Sequence, residues 1–230
     1  MSKLIDYWFR GARMARNAEG GILTVSNRRV TQPDEMHRKP ERLSYSSPGP
    51  YKGYTALYGG SFNPPHLGHQ MFCLTLLSLY AVDEVWLIPV AEHPFGKSLE
   101  PFSRRMQMCR LMSKLFGRRV RVSDIEHRIK TSLTYDVVQA LKKKHPERRF
   151  CLALGSDIQP EVKKWYRFNE LEQLLPMVLV GRQGVDSKDH RVVLPNISST
   201  AIRQALKSGK EPHGLPQEVF DFIALHQLYT

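Results

Sequence analysis

From Tyr54 onward the chain alternates short apolar runs with amphipathic stretches, and this alternation most narrows what it can fold into. The runs Thr55–Tyr58, Val85–Pro89, Val120–Val122, Phe150–Leu154, Val178–Val180 and Val192–Leu194 are short and nearly continuous in apolar character, as strands buried on both faces are. Helical patterns fall near residues 67–80, 102–115, 133–144 and 168–175, with two more near 199–207 and 216–226. Such an order predicts an α/β domain over residues 54–230: a doubly wound, Rossmann-like parallel sheet with helices on both faces. Ligands on that architecture bind beyond the carboxyl ends of the strands.

Residues 1–53 read differently. Leu4, Ile5, Trp8, Ala12 and Ala15 fit one side of a short helix, with Arg10, Arg13 and Arg16 beside them. Gly20-Gly21 and the prolines at 33, 40, 48 and 50 then mark a linker or loose arm. Asp6 and Glu19 argue against a targeting helix and for docking onto the protein's own body. The expected organisation is thus a single domain with a basic N-terminal extension.

The net charge is +12, and the excess is denser at the front, where 10 Lys and Arg face 5 Asp and Glu in residues 1–53. A basic balance attracts phosphates, whether on a nucleotide, an RNA or a membrane surface. No apolar run approaches a membrane span, and no secretory signal opens the chain. Cys73, Cys109 and Cys151 are far apart and odd in number, so they read as reduced thiols in a cytoplasmic protein rather than as metal ligands.

The first strand runs straight into Gly59-Gly60-Ser61-Phe62-Asn63-Pro64-Pro65-His66-Leu67-Gly68-His69. Glycines let the backbone approach a ligand, and Gly68 leaves room on the face that His66 and His69 share three residues apart. A helix N-terminus attracts anions through its N–H groups and dipole; two imidazole donors there make a phosphate site. Near the other end, Ser198 or Ser199 precedes a helical run as a cap, and Arg203, one turn on, can fork onto phosphate oxygens. Two such sites can hold a triphosphate between them. Gly155-Ser156-Asp157 ends a strand, where an acidic residue suits ribose hydroxyls.

Gly59–His69 resembles the His-x-Gly-His signature of the nucleotidyltransferase superfamily, in the version found in nicotinate mononucleotide adenylyltransferases. The resemblance runs from about Tyr54 to Tyr229. Gly155-Ser156-Asp157 resembles the family's Gly-x-Asp, and Trp165-Tyr166-Arg167-Phe168 its Trp-His-x-Trp segment. Ile197–Arg203 matches its Ile-Ser-Ser-Thr-x-Ile-Arg signature throughout, and Leu215-Pro216 to Leu228-Tyr229 is similar to its closing helix. The resemblance implies transfer of AMP from ATP to nicotinate mononucleotide, giving deamido-NAD and pyrophosphate in NAD biosynthesis. By the same resemblance His66, His69 and Arg203 are catalytic. ATP is bound by Gly60, Ser61, Phe62, Gly155, Asp157, Ser198 and Ser199 together with those three. Magnesium comes with ATP, and no protein metal ligand is expected.

On the acceptor side, the loop ending at Lys97, Arg105 at the family's arginine, Thr134 in Ser132–Asp136, and Trp165 are the implied contacts. Leu133, Tyr166 and Phe168 stand where the family usually has tyrosine, histidine and tryptophan. Nicotinate mononucleotide carries a cationic pyridinium, which a tryptophan face attracts. Its carboxylate accepts only donors, such as backbone N–H groups near Thr134 and Trp165. The rival acceptors are nicotinamide mononucleotide, phosphopantetheine or another phosphorylated compound. A rival of another class is an RNA- or nucleotide-binding regulator on the same fold, which the presence of His66, His69 and Arg203 disfavours. Nucleic acid is therefore an unlikely partner, and no membrane is expected.

Overall fold

Strand β1 (Tyr54–Gly60) lies in the middle of a six-stranded sheet, and it is there that the chain reverses its direction of winding. Its neighbours are β2 (Glu84–Pro89), followed outward by β3 (Val120–Val122), and on the other side β4 (Arg149–Gly155), β5 (Met177–Arg182) and the edge strand β6 (Val193–Leu194). The order is β3-β2-β1-β4-β5-β6, and every pairing is parallel. This is the doubly wound α/β arrangement expected. The computed structural model describes residues 50–92, 98–183 and 192–230. Most of the 1–53 extension, including the amphipathic stretch Leu4–Ala15, lies outside them.

Both faces of the sheet are covered, which explains the nearly continuous apolar strands. One face carries Ala56, Val85, Leu87, Cys151, Ala153, Val178 and Val180. Against it pack α1 (Leu67–Ser78), α2 (Phe102–Ser113) and α8 (Gln217–Leu225), through residues such as Phe72, Leu76, Met108, Met112, Val219 and Phe222. The other face carries Leu57, Trp86, Ile88, Phe150, Leu152 and Leu154. It is covered by α3 (Ile125–Ile129), α4 (Thr134–Lys144) and α6 (Phe168–Leu174), through Ile125, Val138, Leu141 and Leu171. All three cysteines are buried free thiols.

The helices at 67–80, 102–115, 133–144, 168–175, 199–207 and 216–226 are all present within two residues of the expected ends; α7 is Ser199–Lys207. Two short helices carry no periodic signal, α3 and α5 (Gln159–Val162), being too brief to show one. Tyr51, counted with the extension in the sequence, belongs to the folded domain. Its ring packs edge-on to Tyr54 at 5.6 Å, and its hydroxyl donates to the carbonyl of Met177. No helix among the described residues is long and apolar enough to cross a membrane.

Candidate active site

A cavity of about 580 Å³ opens at the carboxyl ends of β1 and β4, the position where the strand order reverses. Gly59, Gly60, Ser61, His66, Gly68 and His69 form one part of its wall. Gly155, Asp157 and Arg182 form a second, and Glu126, Ser132, Leu133, Thr134, Trp165 and Tyr166 a third. Sequence positions from 57 to 195 thus converge on one hollow.

His66 is the N-cap of α1, with extended backbone (φ −147°, ψ 176°). Its main-chain N–H donates to Nδ1 of His69 at 3.1 Å. That bond fixes the neutral His69 tautomer, leaving its proton on Nε2. The two rings lie 3.8 Å apart between centroids. His66 is 4 % exposed, and its Nδ1 has no hydrogen-bond partner. Burial, and then the Arg182 charge, lower the His66 pKa to about 3. Burial, the adjoining His66 and Arg182 hold His69 well below its usual range as well. Both are therefore neutral donors at pH 7. Gly68 makes the pair possible: a Cβ there would sit 3.0 Å from the His66 ring.

The second long motif meets the first directly. Ser198 caps α7, its Oγ accepting from the N–H of Ala201 at 3.2 Å. Ser199 Oγ donates to the carbonyl of Pro64 at 2.8 Å, and Arg203 Nη1 to that of Asn63 at 2.7 Å. Both residues thus fasten α7 to the turn before His66. The lining of this cavity does not include Ser198, Ser199 or Arg203, which are half-buried on α7 and its cap, at the turn that leads to His66.

Asp157 and Arg182 form an ion pair at 2.8 Å. Arg182 also donates from Nη2 to the carbonyl of Ile197, while its main-chain N–H reaches Ser156 Oγ at 2.9 Å. The carboxylate lies so close over Gly155 that a Cβ there would be 2.3 Å from Oδ1. Arg182 is the functional residue the sequence reading missed. Its only signal was an arginine two residues past the apolar run Val178–Val180. Glu126 was missed too, since nothing in its spacing marks a buried carboxylate.

At two expected contacts the structure buries the side chain. That of Phe62 is 1 % exposed and packs in the core against Tyr58 and His69, so the ring does not line this cavity. Arg105, expected to touch the acceptor, is 1 % exposed, and its guanidinium is engaged by the carbonyls of Glu100, Ser61 and Ala91. Buried backbone carbonyls need donors, and Arg105 supplies three of them. Thr134 and Trp165 do reach the cavity, as do Leu133 and Tyr166, whereas Phe168 packs into the core behind. The N–H of Trp165 is taken by the Val162 carbonyl at 3.1 Å. The donors on this side are instead those of the first turn of α4, which no side chain caps. Lys97 lies outside the described residues.

A central crevice lined by a helix N-terminus, two imidazoles and an Asp–Arg pair, on a parallel doubly wound sheet, defines a nucleotide-binding α/β protein of the nucleotidyltransferase class. The cytidylyltransferase-like family model matches residues 57–205. The chain is 41 % identical over 179 residues to "Probable nicotinate-nucleotide adenylyltransferase" of Anaeromyxobacter dehalogenans, covering 76 % of this chain and 95 % of that one. It is 37 % identical over 177 residues to the protein of the same name in Myxococcus xanthus, covering 76 % and 93 %. The chain belongs to the nicotinate-nucleotide adenylyltransferase family. In fold it is similar to the Plasmodium falciparum nicotinic acid mononucleotide adenylyltransferase complexed with NaAD, with a TM-score of 0.67 at 21 % identity over 77 % of this chain and 98 % of that one.

Proposed function

We propose that the cavity transfers the adenylyl group of ATP to the phosphate of nicotinate mononucleotide, yielding deamido-NAD and pyrophosphate. The observation that carries this is the meeting of His66, His69, Asp157 and Arg182 around one hollow at the strand reversal. An oxygen of the acceptor phosphate attacks the α-phosphorus of ATP, and the bond from that phosphorus to the β-phosphate bridging oxygen breaks. A phosphate monoester is largely dianionic at neutral pH, its second pKa being about 6, so the attack needs no general base. The chain's task is to align two polyanions and meet charge as it moves to the leaving pyrophosphate.

The neutral imidazoles suit this role. A neutral donor does not need a counter-ion when ATP is absent, and the His69 Nε2–H is fixed by the bond at Nδ1. Arg203 keeps further N–H donors beyond those given to Asn63 and Thr200. Asp157, held by Arg182, suits the ribose hydroxyls. Magnesium is expected with ATP. Among the described residues no three His, Cys, Asp or Glu side chains group closely enough to hold an ion. The donor set fits an ion carried on the phosphates and on water, where it would offset phosphate charge.

For the acceptor, Trp165 on the cavity wall offers a face to the cationic pyridinium, a contact of about 0.5–2 kcal/mol. The uncapped first turn of α4 beside Thr134 offers N–H groups to the nicotinate carboxylate. An amide would place its own NH₂ against those donors, a mismatch of about 1–3 kcal/mol. The test is pyrophosphate release from ATP with a panel of phosphorylated acceptors. A kcat/KM at least about tenfold higher for nicotinate than for nicotinamide mononucleotide is expected. Equal values would overturn the acceptor assignment, and no release with any acceptor would overturn the reaction.

A further inference from the structure

On the acceptor side of the cavity, Glu126 in its wall and Arg105 beneath are two buried opposite charges that the reaction above leaves without a role. Arg105 on α2 is 1 % exposed and Glu126 on α3 is 6 % exposed. Arg105 donates from Nη1 to the carbonyl of Ser61 at 3.0 Å, from Nε to that of Glu100 at 2.8 Å and from Nη2 to that of Ala91 at 3.4 Å. Glu126 Oε2 accepts from the N–H of the same Ala91 at 2.9 Å, and its carboxylate is also hydrogen-bonded to Ser132. Ala91, just past β2, is thus gripped through both of its main-chain groups by opposite charges.

The segments joined in this way are the two halves of the site. Ser61 belongs to the loop between β1 and the histidine pair. Ser132 leads into Leu133 and Thr134 on the acceptor wall. An apolar plug could fill the same space without the desolvation cost of two charges, so a simple stability role does not call for them. A fork of directional bonds does what apolar packing does not: it sets one loop at a defined offset from another. Adenylyl transfer depends on that offset, because a misplacement of about 1 Å between reactants costs on the order of a hundredfold in rate.

We propose that Arg105 and Glu126 are positioning residues that couple the nucleotide loop to the acceptor wall through Ala91, Arg105 tying the Ser61 side to Ala91 and Glu126 tying Ala91 to the Ser132 side. This rests on the adenylyl-transfer reading given above. The experiment uses the full chain in the variants R105K, E126A and E126Q, with Tm, the steady-state constants for both substrates and the affinity for a non-hydrolysable ATP analogue. R105K, which loses the fork, is expected to lower kcat about a hundredfold and to weaken both substrates. E126A is expected to raise the acceptor KM about tenfold while analogue affinity stays within about twofold of wild type. E126Q keeps an oxygen for Ala91 and an amide for Ser132, and is expected to recover most of that loss. A merely structural role would lower Tm in step with the kinetic loss in R105K and would not spare the analogue affinity of E126A. An E126A enzyme with wild-type acceptor KM, an E126A enzyme weakened equally for both substrates, or an R105K enzyme with wild-type kcat overturns the proposal. Should E126A not fold, E126D, one methylene short of Ala91, carries the same expectation. Wild type is assayed alongside, and the acceptor arm uses whichever mononucleotide it turns over, so a wrong acceptor shows in wild type and a wrong coupling only in the variants.

Discussion

Arg203 donates to the main-chain carbonyl of Asn63 at 2.7 Å across 140 residues of chain, while Ser199 reaches the neighbouring Pro64 carbonyl at 2.8 Å. The two long motifs are therefore physically one unit. The helix that carries the arginine also sets the turn that carries the histidines.

Arg203→Ala should therefore lose both rate and stability. Losing a donor that meets transition-state charge costs about 3–4 kcal/mol, roughly a hundredfold to a thousandfold in kcat. Losing its bond to a partly buried carbonyl should also lower the unfolding free energy by about 1–3 kcal/mol. His69→Ala should show the same loss in kcat with a smaller loss of stability. Steady-state kinetics beside urea melts separate the two, and a near wild-type kcat in either variant would remove that residue from the mechanism.

Stability should fall with acid earlier than is usual. Above pH 6.5 neither folded nor unfolded His66 is protonated, so it adds no pH dependence. Below 6.5 the unfolded histidine takes up a proton while the folded one resists until about pH 3. The loss grows through that window, reaching about 2 kcal/mol by pH 5 for His66. Glu126, whose carboxyl burial pushes up, works in the opposite sense. The check is therefore a comparison: Tm between pH 7 and pH 5 should fall less in His66→Asn than in wild type. Parallel slopes would show that His66 is not buried neutral.

Gly68→Ala and Gly155→Ala should disable the site with little change of fold. The new Cβ at 68 meets the His66 ring at 3.0 Å, and that at 155 meets the Asp157 carboxylate at 2.3 Å. Gly68→Ala must displace an imidazole, so kcat should fall by at least about tenfold. Gly155→Ala must move Asp157 off Arg182, so the ATP KM should rise instead. A Gly155→Ala enzyme with unaltered ATP KM would argue that Asp157 does not hold the nucleotide.

Tyr229, past the end of α8, should matter to the turn before His66. Its buried hydroxyl donates to Asn63 Oδ1 at 2.7 Å, the oxygen that also accepts the N–H of Glu100. Tyr229→Phe should cost about 1 kcal/mol of stability and some kcat, since Asn63 also receives Arg203. If melts and kinetics both match wild type, this hydroxyl does not support the turn.

How much of this was legible in the chain follows from the range of each interaction. The strands, the helices and both long motifs are local patterns, so Tyr54–Gly60, the His66/His69 pair and the Ser198 cap could be read from neighbouring residues alone. Trp165 and Thr134 on the acceptor wall were legible by resemblance, as was Asp157 at its strand end. Arg105 was legible by resemblance, but only as an acceptor contact; its buried partners, and the roles of Arg182, Glu126 and Tyr229, were not, because those partners lie from 5 to 166 residues away and no spacing encodes them. Only the packed sheet decided that one arginine, Arg105, lies under the site while another, Arg182, lines it. Which one faces the cavity depends on where a parallel strand ends relative to its neighbours, and that register is fixed by side chains meeting across the sheet.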